Sequence, residues 1–200
     1  MRLVLGSSSP RRRELLTQAG LEFEVLVSDI DETMYADESC MAYVERLARS
    51  KAEAVAQRVG PDVVVVGADS TVDVDGVSLG KPSGRREATQ MMHLLSGRSH
   101  VAHTGVAVAH SGRVISTVVT TEVTFVDLDD ATIEWYVNTV EPYDKAGGYG
   151  LQGLAGQFVS SIHGSASNVV GLPLAQTLAL IHETLAWAAV ESGDELEKFR

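Results

Sequence analysis

The stretch DVVVVGADS at 62–70 sets four consecutive valines among polar residues, and it constrains the fold more than any other feature of the chain. An unbroken β-branched run leaves no polar face, so the segment reads as a strand buried on both sides within an α/β sheet. Residues 2–5 (RLVL) read as a short strand stopping at Gly6. Ser9 followed by Pro10 opens a helix, with Leu15, Leu16 and Ala19 as its apolar face and Gly20 as its stop. The first unit is strand, loop, helix. Residues 23–27 read as a second strand, 29–38 as an acidic loop, and 39–58 as a helix with Met41, Val44, Leu47, Ala48 and Val55 at helical spacing. Lys51 falls on that same stripe, so it either snorkels to water or faces an anion. TVDVDGVSL forms a hairpin around Asp75 and Gly76. A helix over 85–95, paired strands over 100–109 and 113–126, a helix over 129–138, a strand over 157–162 and a helix over 172–190 complete the reading. Between them, 141–156 is too glycine-rich for a regular element and longer than a simple turn, the profile of a functional loop.

Charge limits what such a fold binds. The 200 residues carry 16 Lys and Arg against 27 Asp and Glu, a net charge of −11. That balance excludes a protein built to wrap extended nucleic acid or coat an anionic membrane, both of which need a cationic surplus. A polyanionic ligand must therefore meet a local cluster of cations. Cys40 is the single cysteine and cannot form an internal disulfide, so it reads as a small buried residue in a reducing compartment. The N-terminal MRLVL is shorter than the apolar core of a signal peptide, and no long apolar run suits a membrane span. The expectation is a cytoplasmic protein with no membrane partner.

Three constellations carry chemistry. In GSSSPRRRELL at 6–16, Arg11, Arg12 and Arg13 occupy a helix start, where positive charge opposes the macrodipole. A bound anion turns that cost into a site, because backbone N–H groups, serine hydroxyls and guanidinium groups face the same phosphates. The second is acidic: Asp69 at the end of the valine strand and Glu32 after the second strand can hold a divalent metal or take a proton from water. Lys51 and Lys81, the latter in a tight GKP turn, suit charge stabilisation in phosphoanhydride hydrolysis. The third is the glycine loop with Asp144, Lys145, Tyr149 and Gln152, where the Gln152 amide matches the edge of a pyrimidine imide. His100 and His103 lie three apart in a strand, on opposite faces, which argues against a shared metal. Trp135, Tyr136 and Trp187 read as core or interface residues.

GSSSPRRRELL, VVGADSTV, the GKP turn, LSGRSHVAHTGVAV, EPYDKAGGYGLQG and SNVVGLPL occur in that order. Together, from about residue 3 to 176, they resemble the Maf family of nucleoside triphosphate pyrophosphatases, also described as septum formation inhibitors. The resemblance implies an inosine-triphosphatase-like α/β fold, a mixed sheet flanked by helices with two lobes around a nucleotide cleft. It implies one catalytic domain over 1–190, followed by a polar tail over 191–200. It implies hydrolysis of a nucleoside triphosphate to monophosphate and pyrophosphate with a divalent cation, Mg²⁺ or Mn²⁺, held by Glu32 and Asp69. Asp69 matches the family's proton acceptor; Arg11, Ser70 and Gln152 match selectivity positions; Ser9, Arg12, Glu32, Lys51 and Lys81 match other cleft positions. DKAGGYGLQG looks like the branch preferring dTTP and UTP. The chain departs from the common pattern at Ser70, where Thr is usual, and at Gly6, where Ala is usual. A pyrophosphatase for modified nucleotides such as 7-methyl-GTP, or a non-catalytic regulator of septation and cell division, are the alternatives; a homodimer stays open.

Overall fold

The valine run is the centre of the molecule. In the computed structural model, which describes residues 2–192, Val63, Val64, Val65 and Val66 belong to a strand, β3 (Val63–Val74), and are all buried. Their side chains alternate between two cores. Val63 and Val65 pack with Ala48, Ala52 and Val55 of α2 (Cys40–Val59) on one face. Val64 and Val66 pack with Leu15 and Leu16 of α1 (Pro10–Gln18) and Ile181 of α6 (Leu174–Ser192) on the other. Each valine so enclosed contributes about 1.5–2 kcal/mol of burial. That double enclosure is why the run has no polar face.

Seven strands form one mixed sheet, in the order β2, β1, β3, β5, β6, β7, with β4 paired to β3 off this path. β1 (Arg2–Leu5) runs parallel to both β2 (Glu24–Val25) and β3. β4 (Val77–Leu79), β5 (Ser99–His110), β6 (Arg113–Phe125) and β7 (Val159–His163) join antiparallel. A third core closes the far end of the sheet, where Met91, Met92 and Leu95 of α3 (Arg85–Leu95) and Tyr136 of α4 (Asp130–Val137) meet Phe125, Tyr149 and Phe158. No helix among the described residues is long and apolar enough to cross a membrane.

Four features differ from the sequence reading. Asp69 is not at a strand end but in the middle of β3, because nine successive pairs with β5, from Val65 with Ala109 to Asp73 with Val101, carry the ladder past it. Main-chain pairing tolerates a polar side chain where the sheet faces a cleft. The second strand shrinks to Glu24–Val25. The glycine-rich segment is ordered as 3-10 turns at Glu141–Asp144, Ala146–Gly148 and Leu154–Phe158. A short helix, α5 (Ala166–Val170), capped by the Ser165 hydroxyl and ended at Gly171, precedes α6. The expected polar tail lies, from 193 onward, outside the described residues.

Candidate active site

The site is set by how closely α2 lies on the sheet. A Cβ on Gly67 would sit 2.3 Å from the Ala48 carbonyl oxygen, and one on Gly105, opposite Asp69 in the ladder, 2.2 Å from that of Val44. Two glycines on adjacent strands thus form a seat for the helix backbone. Seated there, Lys51 points down into the sheet instead of out to water. Its ammonium donates to Asp69 Oδ1 at 2.6 Å and pairs with Glu32 Oε1 at 2.9 Å. Lys51 and Asp69 are buried, whereas Glu32 is exposed at the cleft edge. Tyr43, two turns before Lys51 on α2, donates from its hydroxyl to the Glu32 carbonyl at 3.0 Å and fixes that loop. Sequence reasoning misses Tyr43; its i, i+8 spacing to Lys51 along the helix is the signal that could find it.

Across from this pair lies the first turn of α1. Ser9 caps the helix by accepting from the Arg12 N–H. Arg12 is buried, and its guanidinium is already engaged with the protein. Nε donates to the Gly171 carbonyl at 2.8 Å, Nη1 to the Ala68 carbonyl at 2.8 Å and to Ser7 Oγ at 3.1 Å, and Nη2 to Ser70 Oγ at 3.0 Å. Burial lowers its pKa from the ordinary arginine value, and the nearby Asp69 opposes that shift. Ser70 Oγ in turn shares a hydrogen bond of 2.9 Å with Thr104, whose hydroxyl reaches the Asn168 carbonyl. Asn168 ties α5 to the sheet by donating to the Ala102 carbonyl and to Thr121 Oγ1. Neither Thr104 nor Asn168 was singled out in the sequence, since each acts through a fold contact more than 40 residues away in the chain.

Arg11 goes the other way. Its guanidinium spans the cleft mouth to the glycine loop, donating to Asp144 Oδ2 at 3.1 Å and to the Asp144 carbonyl at 3.2 Å. Burial disfavours the Asp144 carboxylate, but hydrogen bonds from Lys145 and Arg11 outweigh it and hold its pKa below the ordinary value. Arg13 is exposed and does not line the cleft, so the three arginines do not act as one cluster. Lys81 is exposed on the rim after β4, and Gln152 is exposed on the glycine loop; both line the cleft. The cleft, of about 430 Å³, gathers Ser9, Arg11, Arg12, Glu32, Lys51, Asp69, Ser70, Lys81 and Gln152 from six separate parts of the chain. Cations on both walls above a buried Lys51 and Asp69 pair suit a small polyanion.

A family model described as Maf-like protein matches residues 2–184. The chain belongs to the Maf family. A dTTP/UTP pyrophosphatase of Myxococcus xanthus is 51% identical over 191 residues, 94% of this chain and 96% of the relative. One from Vibrio cholerae is 50% identical, covering 91% and 97%, and one from Acinetobacter baylyi 45%, covering 92% and 100%. Among solved structures, the Staphylococcus aureus Ham1 protein superposes with a TM-score of 0.48 at 14% identity, over 79% of this chain and 91% of that one. A likeness that loose leaves the fold of this Maf-family chain to be read from its own strand order.

His100 and His103 of the Maf-family chain do point apart. His103 shares hydrogen bonds with Asp73 and Thr120. His100 is buried on the other face, with Nε2 at 2.8 Å from the Tyr149 hydroxyl and no partner for Nδ1. Burial, with Arg98 nearby, pushes its pKa down to about 4. Tyr136 is fully buried, whereas Trp135 is half exposed.

Proposed function

We propose that this chain hydrolyses dTTP and UTP to the nucleoside monophosphate and pyrophosphate. The observation that carries the proposal is the buried Lys51 ammonium held between Asp69 and Glu32 on the floor of a cleft with cations on both walls. The names of relatives near 50% identity over nearly the whole chain support the substrate. A single buried thiol suits a reducing compartment, the cytoplasm. In this reading, 1–190 is one catalytic domain.

Arg11 and Lys81 bind the triphosphate, together with the backbone of the turn that Ser9 caps. Arg12 braces that turn against β3. Lys51 occupies Asp69 Oδ1, leaving the other carboxylate oxygen to accept a proton from the attacking water. The same ammonium adds charge stabilisation as the phosphoanhydride breaks. Two carboxylates with hard oxygen donors also fit a Mg²⁺ or Mn²⁺ ion, which takes one or two carboxylates and completes its shell with phosphate oxygens and water. Glu32 and Asp69 would hold the ion, which supplies Lewis-acid activation of the phosphate oxygens. Gln152 reads the base, and Ser70, which lines the same cleft, is a second selectivity position.

Pyrophosphate release from a panel of canonical and modified triphosphates, with Mg²⁺ and with Mn²⁺, tests the reading. UTP and dTTP are expected to lead. Asp69→Asn is expected to lose at least about 100-fold in kcat, the scale of a general base, in a protein that still folds. Preferred turnover of 7-methyl-GTP would replace the substrate, and no turnover at all would leave a nucleotide-binding protein.

A further inference from the structure

The turn that presents Gln152 is held from outside itself. It spans residues 150–153 and is closed by the Gly153 N–H donating to the Gly150 carbonyl at 3.1 Å. Both end glycines leave room that other residues fill. A Cβ on Gly153 would lie 2.3 Å from Glu141 Oε2, and one on Gly150 would lie 2.6 Å from Lys145 Cε. The Glu141 carboxylate then takes the next two backbone donors: Leu154 N–H to Oε2 at 2.6 Å and Ala155 N–H to Oε1 at 3.1 Å. From beneath, the buried Tyr136 hydroxyl lies 3.1 Å from both Oε1 and the Gly148 carbonyl oxygen, and its one proton is shared between them. Lys145 Nζ donates to the Glu141 carbonyl at 2.8 Å, so the backbone of Glu141 is fixed too. One carboxylate therefore takes two backbone donors on the chain directly after the 150–153 turn and shares a third, the Tyr136 hydroxyl, with the Gly148 carbonyl.

We propose that Glu141 is a positioning residue for base selection. Its carboxylate holds the 150–153 turn so that the Gln152 amide meets the pyrimidine edge in one orientation. The inference rests on the reading that Gln152 contacts the base. Discrimination by hydrogen bonds requires a donor and acceptor set held in place before the base arrives, because an amide free to swing satisfies the wrong base as well. Hydrogen bonds to a charged acceptor are the strong kind, which is why a carboxylate and not a neutral group suits this anchor.

The test compares kcat/KM for UTP and CTP in the wild-type protein, Glu141→Gln, Gln152→Ala and the double variant. Glu141→Gln keeps the shape but replaces one acceptor oxygen with an NH₂ group that cannot accept from a backbone N–H. It is expected to lower the preference for UTP over CTP by about tenfold, the scale of one charge-assisted hydrogen bond. The loss should fall in KM, with kcat for UTP within about twofold of wild type. In the Gln152→Ala background the same substitution should change discrimination no further, since both act through one contact. Tyr136→Phe removes one donor to the carboxylate and provides the same readout if Glu141→Gln does not fold. Unchanged discrimination in the folded variant, or effects additive with Gln152→Ala, overturns the role of Glu141 while the Gln152 reading stands. Unchanged base choice in Gln152→Ala overturns the Gln152 reading, and the inference with it.

Discussion

Arg11 and Arg12 are adjacent in the first turn of α1, yet their guanidinium groups have opposite surroundings. Arg12 is sealed against β3 and the end of α5 with four acceptors around it, whereas Arg11 reaches over the cleft to a carboxylate that is mostly exposed. A lysine at 12 would carry its donors on one atom and could not reach Gly171, Ala68 and Ser70 together, leaving buried carbonyls unpaired. Arg12→Lys is therefore expected to cost about 2–4 kcal/mol in urea unfolding. Arg11→Lys is expected to cost less than about 1 kcal/mol, as a partly exposed pair does, and to raise KM for the triphosphate instead. Equal destabilisation by the two substitutions would contradict this division of roles.

At the scale of elements, the placement of α2 on β3 and β5 decides the chemistry. Lys51 reaches Asp69 only because Gly67 and Gly105 let the helix backbone rest on the sheet. Gly67→Ala puts a methyl group against the Ala48 carbonyl and is expected to destabilise by about 2–3 kcal/mol, an overpacking cost. It should also remove most pyrophosphate release, because lifting α2 draws the ammonium off the carboxylate. Gly76→Ala is the control: its φ of +85° strains an alanine, but nothing lies within 4 Å of the new methyl group. That substitution is expected to cost about 1 kcal/mol with turnover unchanged, measured by urea unfolding and a pyrophosphate assay on the same preparations. Comparable activity in the two variants would rule out the seat.

Across the whole molecule, stability is tied to pH through the far core. His100 packs edge-on against Phe125 and Tyr149 and stays neutral, with its pKa depressed from 6.5 to about 4. Between those values the unfolded chain binds a proton that the folded chain refuses, so stability rises with pH in that window. Its contribution is complete above about pH 6.5 and is lost as pH falls toward about 4, a swing on the order of 3 kcal/mol. Urea unfolding from about pH 7 to about pH 4.5 is expected to show a shallower acid loss in His100→Gln than in the wild-type protein. Parallel curves would mean that His100 does not govern this limb.

Elements whose signals are local can be read from the amino-acid order alone. The valine run specified a doubly buried strand, Ser9 and Pro10 opened α1, and Asp75 with Gly76 turned the β3–β4 hairpin, because burial pattern, capping and turn geometry act within a few residues. The run of motifs also named the residues that line the cleft. What those residues face depends on how the elements pack. Lys51 stood on an apolar stripe with two destinations open to it, and the glycine seat chose the anion. Arg12 and Arg11 look alike in sequence and differ in burial and in partners. Glu141, Thr104 and Asn168 gave no periodic signal, since each works through partners that only chain folding brings within 3.3 Å. Hydrogen bonds and charge pairs form over a few ångströms in space, and the sequence records distance along the chain.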